Sequence, residues 1–394
     1  MVGLYKIRPA LVLKRFSPGF LFMAPESKQG NNFGSKGRNR IAAKNSAKTS
    51  PCEETEFLSQ MQVSKLRSAK YELAGSHSGV QVCSWSKKAL RREGVCYKQK
   101  FYGVECEQCC QMSPAVLWCN ENCIFCWRPM EWMQKRGLSG ASIDSPEKII
   151  SGSIAARKKL LYGFKGLEVV GPERFEKIAF PSHWAISLSG EPTLYPKICE
   201  LIAELKKLPG TKSVFLVTNA QETGVFRKMA KNSGFLPSQL YVSLDAPNES
   251  MFKKVNRPSA GASWENLLRS LEIISGMKTR KVVRITLIKN VNDDNGLIGQ
   301  WVDVIGRMAP EFVEVKSYMH LGESRKRLGR ENMPSFSEVM SWTKGFAKAS
   351  GYIVKDSSRP SRIVLLVRQD LGGRSTKFKF AREEMAIDGE GIDF

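Results

Sequence analysis

The chain has 394 residues, 42% of them hydrophobic, which is enough apolar material for one large domain or two ordinary ones and excludes disorder throughout. A formal charge of +23 and an isoelectric point near 9.6 point to an acidic polymer as partner, because clustered Lys and Arg neutralise phosphates and release counterions; a membrane surface is the weaker alternative. The one markedly apolar N-terminal stretch, Leu11 to Met23, is short and interrupted by Lys14, Arg15 and Pro18, so no membrane span is expected.

In chain order, residues 1–50 come first, with ten Lys or Arg against the single acid Glu26, a local charge of +9 in a Gly/Asn/Ser-rich context. Residues 1–60 therefore read as a basic, disordered tail: a nucleic-acid-binding arm, an organelle transit peptide, or a segment ahead of a later start at Met23 or Met61. Residues 61–115 read as an extension carrying Cys83, Cys96 and Cys109 at even thirteen-residue steps. With ten cysteines and no recognisable secretory signal, a reducing cytoplasm and metal binding fit better than a disulfide framework. Cys106 and Cys110 flank Cys109 so closely that either could replace it, whereas Cys52 and Cys199 have no partners in register.

Cys119, Cys123 and Cys126 then form CxxxCxxC ending in Trp127. A four-iron cube held by thiolates normally takes four of them, so three leave one iron with an open position where a substrate can bind. From Val116 to about residue 370, short β-rich runs alternate with helical stretches, the pattern of βα units around a parallel sheet. The expected strands are Ala115 to Trp118, Trp184 to Leu188, Ser213 to Thr218, Leu240 to Asp245, Val282 to Ile288 and Phe312 to Tyr318, each nearly continuous in apolar residues. Helices are expected over Tyr195 to Lys207, with Ile198, Ile202 and Leu205 on one stripe, and over Trp264 to Ile274, with Leu267, Leu271 and Ile274. Six such units suggest a partial barrel with its chemistry at the carboxyl ends of the strands. Arg362 to Val367 reads as a last β-like run before a mixed-charge tail over 371–394, ordered in part at most.

The CNENCIFCW loop resembles the signature of the radical S-adenosylmethionine (SAM) enzymes. Together with SLSGEPTLYP, FLVTNAQ, LYVSLDAPN, EVKSYMHLGESRKRL and NMP, it resembles tRNA 4-demethylwyosine synthase over roughly Cys83 to Val367. The resemblance implies a partial (β/α)6 TIM-like radical SAM barrel, α/β in class, with an N-terminal cysteine-containing extension. It implies two 4Fe-4S clusters, one on Cys119, Cys123 and Cys126 that binds SAM, the other on Cys83, Cys96 and Cys109. The implied reaction abstracts hydrogen from the N-methyl group of N1-methylguanosine, next to the anticodon of phenylalanine tRNA. The carbon radical then adds to pyruvate, expelling its carboxylate carbon, and closure onto the exocyclic amine makes the third ring. Without a flavodoxin-like domain ahead of it, the chain resembles the single-domain archaeal form, a cytoplasmic monomer served by an external one-electron donor protein.

The same resemblance gives residues their roles. Lys98, two residues after Cys96, matches the lysine proposed to form a Schiff base with pyruvate, with Lys100 as competitor and the open iron of the second cluster as an alternative site. Glu191 is expected to face the SAM amino group, and Asn219, Ser243 and Asp245 its ribose and carboxylate. A helix N-terminal charge explains Glu191 as well, and caps and turns explain the other three. Lys87, Lys88, Arg91 and Arg92, and Arg325, Lys326, Arg327 and Arg330, are candidates for the tRNA surface, the plain alternative being solvated helical faces. Tyr318, Met319 and Trp127 are candidates to support a flipped base. Among enzymes the alternative is another radical SAM RNA-modifying or activating enzyme; a zinc-ribbon RNA-binding protein is the competing class, disfavoured because CxxC occurs only once outside the loop, at Cys106 to Cys109, and a barrel-sized domain follows.

Overall fold

A computed structural model describes residues 57–380 except 136, 141 and 260. The basic tail up to residue 56, Cys52 and the stretch 381–394 lie outside the described residues. The helix Gln60–Ser68 opens the extension, its first turn closed by a capping box between Ser59 and Gln62.

Ten strands make one sheet: β1 (Glu72–Leu73), β2 (Gly79–Gln81), β3 (Cys109–Ser113), β4 (His183–Ile186), β5 (Ser213–Thr218), β6 (Gln239–Ser243), β7 (Arg280–Leu287), β8 (Phe312–Ser317), β9 (Tyr352–Ser358) and β10 (Ile363–Arg368). Their order is β1-β2-β3-β4-β5-β6-β7-β8-β10-β9. The six central strands, β3 to β8, run parallel, and antiparallel partners finish both edges, so the sheet curls into a partial barrel without closing. The helices Ile198–Lys207 and Trp264–Ser275 bury the expected stripes against it. The first of these starts three residues later than expected: Tyr195 to Lys197 form a bend and turn between the 3-10 turn Pro192–Leu194 and the helix.

One expected strand is corrected. Ala115 to Trp118 is a buried turn whose one ladder contact is an isolated bridge from Trp118 to Gln134; the first parallel strand is β3, ending before Pro114. Cys109 thus sits at the amino end of the strand whose carboxyl end feeds the CxxxCxxC loop.

Strand alternation divides the core in two. Met112, Ile186, Leu216, Val242, Ile285 and Val315 face the helices. Phe215, Tyr241, Val282, Phe312 and Leu365 face the bore, which is filled from the extension by Tyr97, Phe101 and Tyr102 of the helix Tyr97–Tyr102. Gly103, at φ +74°, ends this helix in the left-handed conformation. Within the bore, Glu314 is fully buried and accepts from Tyr102 Oη (2.8 Å), Tyr241 Oη (3.2 Å) and Arg284 Nε (3.1 Å), while Arg284 also donates to Tyr97 Oη (2.7 Å). Removing one member of such a buried pair strands the other charge. Glu314→Ala is therefore expected to cost about 3–5 kcal/mol of stability, read from the urea midpoint at unchanged slope.

Candidate active site

Backbone bonds hold the CxxxCxxC loop on two sides. The Cys119 amide donates to Gln134 O (3.0 Å), and those of Asn122 and Ile124 donate to Asn256 O and Val255 O (both 2.9 Å). From the segment after β8, Arg327 donates through Nε to Ile124 O (3.2 Å) and through Nη2 to Cys126 O. Gly190 closes the third side: its φ is +70°, and a Cβ there would stand 2.0 Å from Ala115 O and 2.5 Å from Trp118 O. Only glycine lets the turn after β4 press this close, and the adjacent Glu191 amide bonds Trp118 O at 2.6 Å.

Half-buried Cys119, Cys123 and Cys126 line a cavity of about 180 Å3 together with Glu121, Glu191, Asn219, Ser243 and Asp245. Burial pushes all three thiols above the ordinary cysteine range, so their ionisation depends on a cation bound against them. Among the described residues no three His, Cys, Asp or Glu side chains converge as ligands of a single metal ion.

Glu191, 3% exposed, accepts through Oε1 from the Thr193 amide (3.0 Å), Thr193 Oγ1 (2.5 Å) and Thr218 Oγ1 (2.6 Å), and through Oε2 from the Asn219 amide (2.8 Å). It thus caps the Pro192–Leu194 turn and ties β4 to β5, yet its Oε2 keeps acceptor capacity at the cavity wall. Asn219 Nδ2 is bonded to Asn120 Oδ1 (2.7 Å). Asp245 accepts from the Thr286 amide (2.6 Å), and burial raises its pKa to about 6.

Sequence reasoning missed Glu121. It is 2% exposed, accepts from Asn256 Nδ2 (2.9 Å), Gln221 Nε2 (3.3 Å) and the Cys123 thiol (3.3 Å), and burial raises its pKa to about 8. An acid between the first two cysteines of the loop was the available signal.

The upstream cysteines also come together. Cys83 precedes the helix Ser84–Leu90 and accepts from the Ser86 amide (3.3 Å), Cys96 precedes the helix Tyr97–Tyr102, and Cys109 opens β3. Burial first, and then the neighbouring Cys83, raises the pKa of Cys96 and Cys109, so the three sulfurs are close together. Cys110 turns to the opposite, helix-facing side of β3, which separates it from this group. Cys106 stays beside it, its buried sulfur accepting from the Cys96 amide (3.5 Å). Lys98 enters the bore with Nζ 4.8 Å from the Phe215 ring centroid and 4.7 Å from that of Tyr241, and burial followed by Arg284 lowers its pKa. Lys100 instead points outward to Asp356 (2.6 Å) and Ser357 O (2.5 Å). A further lysine, Lys316 of β8, is brought in with its pKa lowered to about 8 by burial and then by Arg284.

The radical SAM superfamily model matches residues 114–297, and the wyosine base formation model residues 307–368. The chain is 42% identical to an S-adenosyl-L-methionine-dependent tRNA 4-demethylwyosine synthase of Pyrococcus abyssi, over 79% of this chain and 89% of the relative. It is 37% identical to that of Methanocaldococcus jannaschii, over 77% of this chain and 95% of the relative. The chain belongs to the tRNA 4-demethylwyosine synthase family. A solved structure of TYW1 with a lysine-pyruvate adduct bound superposes with a TM-score of 0.71 at 34% identity, covering 82% of this chain and all of that one. A crystal structure of archaeal TYW1 gives 0.65 at 31% identity, with the same coverage.

Radical SAM enzymes use SAM and a 4Fe-4S cluster, and the residues of this 4-demethylwyosine synthase relative fit that pair. Among the described residues three soft thiols and no fourth cysteine line the cavity, together with the carboxylates of Glu121, Glu191 and Asp245. Two expected roles are corrected. Arg327, its side chain 12% exposed, braces the cysteine loop and bonds Glu131 (3.0 Å), so it is withdrawn from the tRNA surface. Tyr318 is 1% exposed with its hydroxyl on Ser324 Oγ (3.1 Å), so it is core and not a stacking platform. Arg325, Lys326 and Arg330 are exposed, as are Lys88, Arg91 and Arg92, with Lys87 half-buried; Trp127 is 47% exposed at the cavity edge. Among the described residues no helix is long and apolar enough to cross a membrane.

Proposed function

We propose that this protein condenses N1-methylguanosine of phenylalanine tRNA with pyruvate to form the tricyclic 4-demethylwyosine. The observation that carries the reading is one barrel joining a cavity walled by CxxxCxxC thiols to a bore where Lys98 stands beside a second set of thiols. The family membership and the lysine-pyruvate adduct of the TYW1 structure support it.

Cys119, Cys123 and Cys126 would hold the cluster that, with SAM, supplies reductive sulfonium cleavage and hydrogen abstraction. Glu191 would accept from the SAM ammonium through Oε2, while Asn219, Ser243 and Asp245 take its ribose and carboxylate. Cys83, Cys96 and Cys109 would hold a second 4Fe-4S cluster. Lys98 would condense with the pyruvate ketone, forming a C=N bond and releasing water, a step favoured by a lowered lysine pKa because the attacking amine must be neutral. The Phe215 and Tyr241 rings flank its amine with apolar surface. Lys87, Lys88, Arg91, Arg92, Arg325, Lys326 and Arg330 would meet tRNA phosphates, and an external donor protein would supply the electron. In domain terms, residues 61–115 would be the second-cluster extension and 116–370 the radical SAM barrel.

Anaerobic incubation of reconstituted protein with N1-methylguanosine-containing phenylalanine tRNA, SAM, pyruvate and dithionite, followed by nucleoside mass analysis, is expected to yield the tricyclic base only when pyruvate is present. A product formed without pyruvate, or SAM cleavage with no change in the tRNA, overturns the reading.

A further inference from the structure

Three cations face the bore around Tyr97 and Tyr241: Lys98, Arg284 and Lys316. One carboxylate, Glu314, stands among them, and it is spent on Arg284 at 3.1 Å. Among the described residues no hydrogen bond or ion pair reaches the Nζ of Lys98 or of Lys316. Lys316 is half-buried, with Nζ 5.8 Å from the centroid of the Tyr97 ring, on the helix that also carries Lys98. The strand register places it opposite Thr286, one inward-facing position beyond the Arg284–Glu314 pair, and Arg284 in turn is opposite Ser243 of the cavity wall.

Two half-buried lysines with no carboxylate within ion-pairing distance leave room for an anion to join them. We infer that Lys316 is the carboxylate-binding residue for the two-carbon donor, pairing with the acid group of a short 2-keto acid while Lys98 engages the ketone. The inference rests on the Lys98 reading above and adds the residue that selects an acid over a neutral ketone. The chemistry of the ligand makes the division of labour. The carboxylate is bonded directly to the ketone carbon, so once that carbon is joined to Lys98 the negative charge must lie within a few ångströms of its nitrogen, in a half-buried site. Of the side-chain cations, Arg284 is already satisfied by Glu314 and by Tyr97 Oη at 2.7 Å, which leaves Lys316 as the one able to pair with a carboxylate while Lys98 holds the ketone.

The test is reductive trapping on the anaerobic, iron-reconstituted full chain, without SAM or tRNA. Condensation releases water and leaves a C=N bond; cyanoborohydride delivers hydride to its carbon and solvent a proton to its nitrogen, giving a stable secondary amine counted by intact mass. Pyruvate is titrated against methyl pyruvate, which keeps the ketone and lacks the charge. Lys316→Ala is expected to raise the pyruvate concentration for half-maximal trapping roughly ten- to a hundredfold, the worth of one charge-assisted hydrogen bond, and Lys316→Arg to recover part of it. Methyl pyruvate should trap equally in both proteins, at unchanged iron content. An unchanged pyruvate titration in Lys316→Ala overturns the inference, and so does an equal loss for pyruvate and its ester, which would place Lys316 on the amine or the fold. A fall in iron per chain also overturns it, by making Lys316 the counter-charge of thiolate-bound metal. Lys98→Ala tells the two readings apart: loss of trapping there with none in Lys316→Ala spares the Schiff-base role, whereas full trapping in Lys98→Ala removes it.

Discussion

Cys123→Ser, and equally Cys119→Ser or Cys126→Ser, is expected to reduce release of 5'-deoxyadenosine from SAM to the protein-free background while the barrel still unfolds cooperatively. Each thiol rides on a loop fixed independently of metal, by the Cys119 and Ile124 amides, by Arg327 and by the close approach at Gly190, so losing a sulfur should not unravel the loop. What disappears is a soft, ionisable ligand. A serine hydroxyl neither ionises at neutral pH nor suits iron in a sulfide cluster. Glu121 is the one neighbour placed to substitute, but Asn256 and Gln221 hold its carboxylate and burial keeps its pKa near 8. If Cys83, Cys96 and Cys109 hold the second cluster proposed above, iron and sulfide should fall by about half, the upstream set being untouched. Wild-type SAM cleavage in any of the three variants would end the assignment of this loop.

Lys98→Ala separates SAM cleavage from base formation. The cavity is lined without Lys98, so deoxyadenosine release should persist, uncoupled, while tricyclic product falls by about a thousandfold or more, the scale of removing a covalent nucleophile. Lys98→Arg should not rescue it, since a guanidinium stays protonated and cannot condense with a ketone. Lys100→Ala is the contrasting control. Lys100 is half-exposed, its ion pair with Asp356 is a surface one worth at most about 1 kcal/mol, and its loss should leave product formation near the wild-type rate. Product from Lys98→Ala at the Lys100→Ala level would return pyruvate to the second metal site alone.

Much of this was legible in the chain because buried parallel strands are written as continuous apolar runs. Ser213–Thr218 is found residue for residue, and β4, β6, β7 and β8 within two residues at either end. The first strand was not, for a physical reason. CCQMS carries no β-branched residue, while the apolar AVLW after Pro114 has a strand's composition but is buried as a turn under the cysteine loop. The same habit hid the bore. In RKVVRITL and FVEVKS the charges alternate with aliphatic residues, the mark of a face that is not uniformly apolar, and Arg284, Glu314 and Lys316 sit at those positions. Arg327 was misplaced because a basic run looks like a surface, whereas its partners, the carbonyls of Ile124 and Cys126, are two hundred residues away in sequence.

A sheet that curls without closing is left with two rims, where unpaired amides can recruit foreign strands. Here both rims are blunted. One is β1, two residues long; the other is β9, which carries Lys355 and Asp356 and is offset by a bulge opposite Leu365 and Leu366. An incomplete barrel can therefore keep its mouth wide for a bulky polymer without offering a templating edge for aggregation.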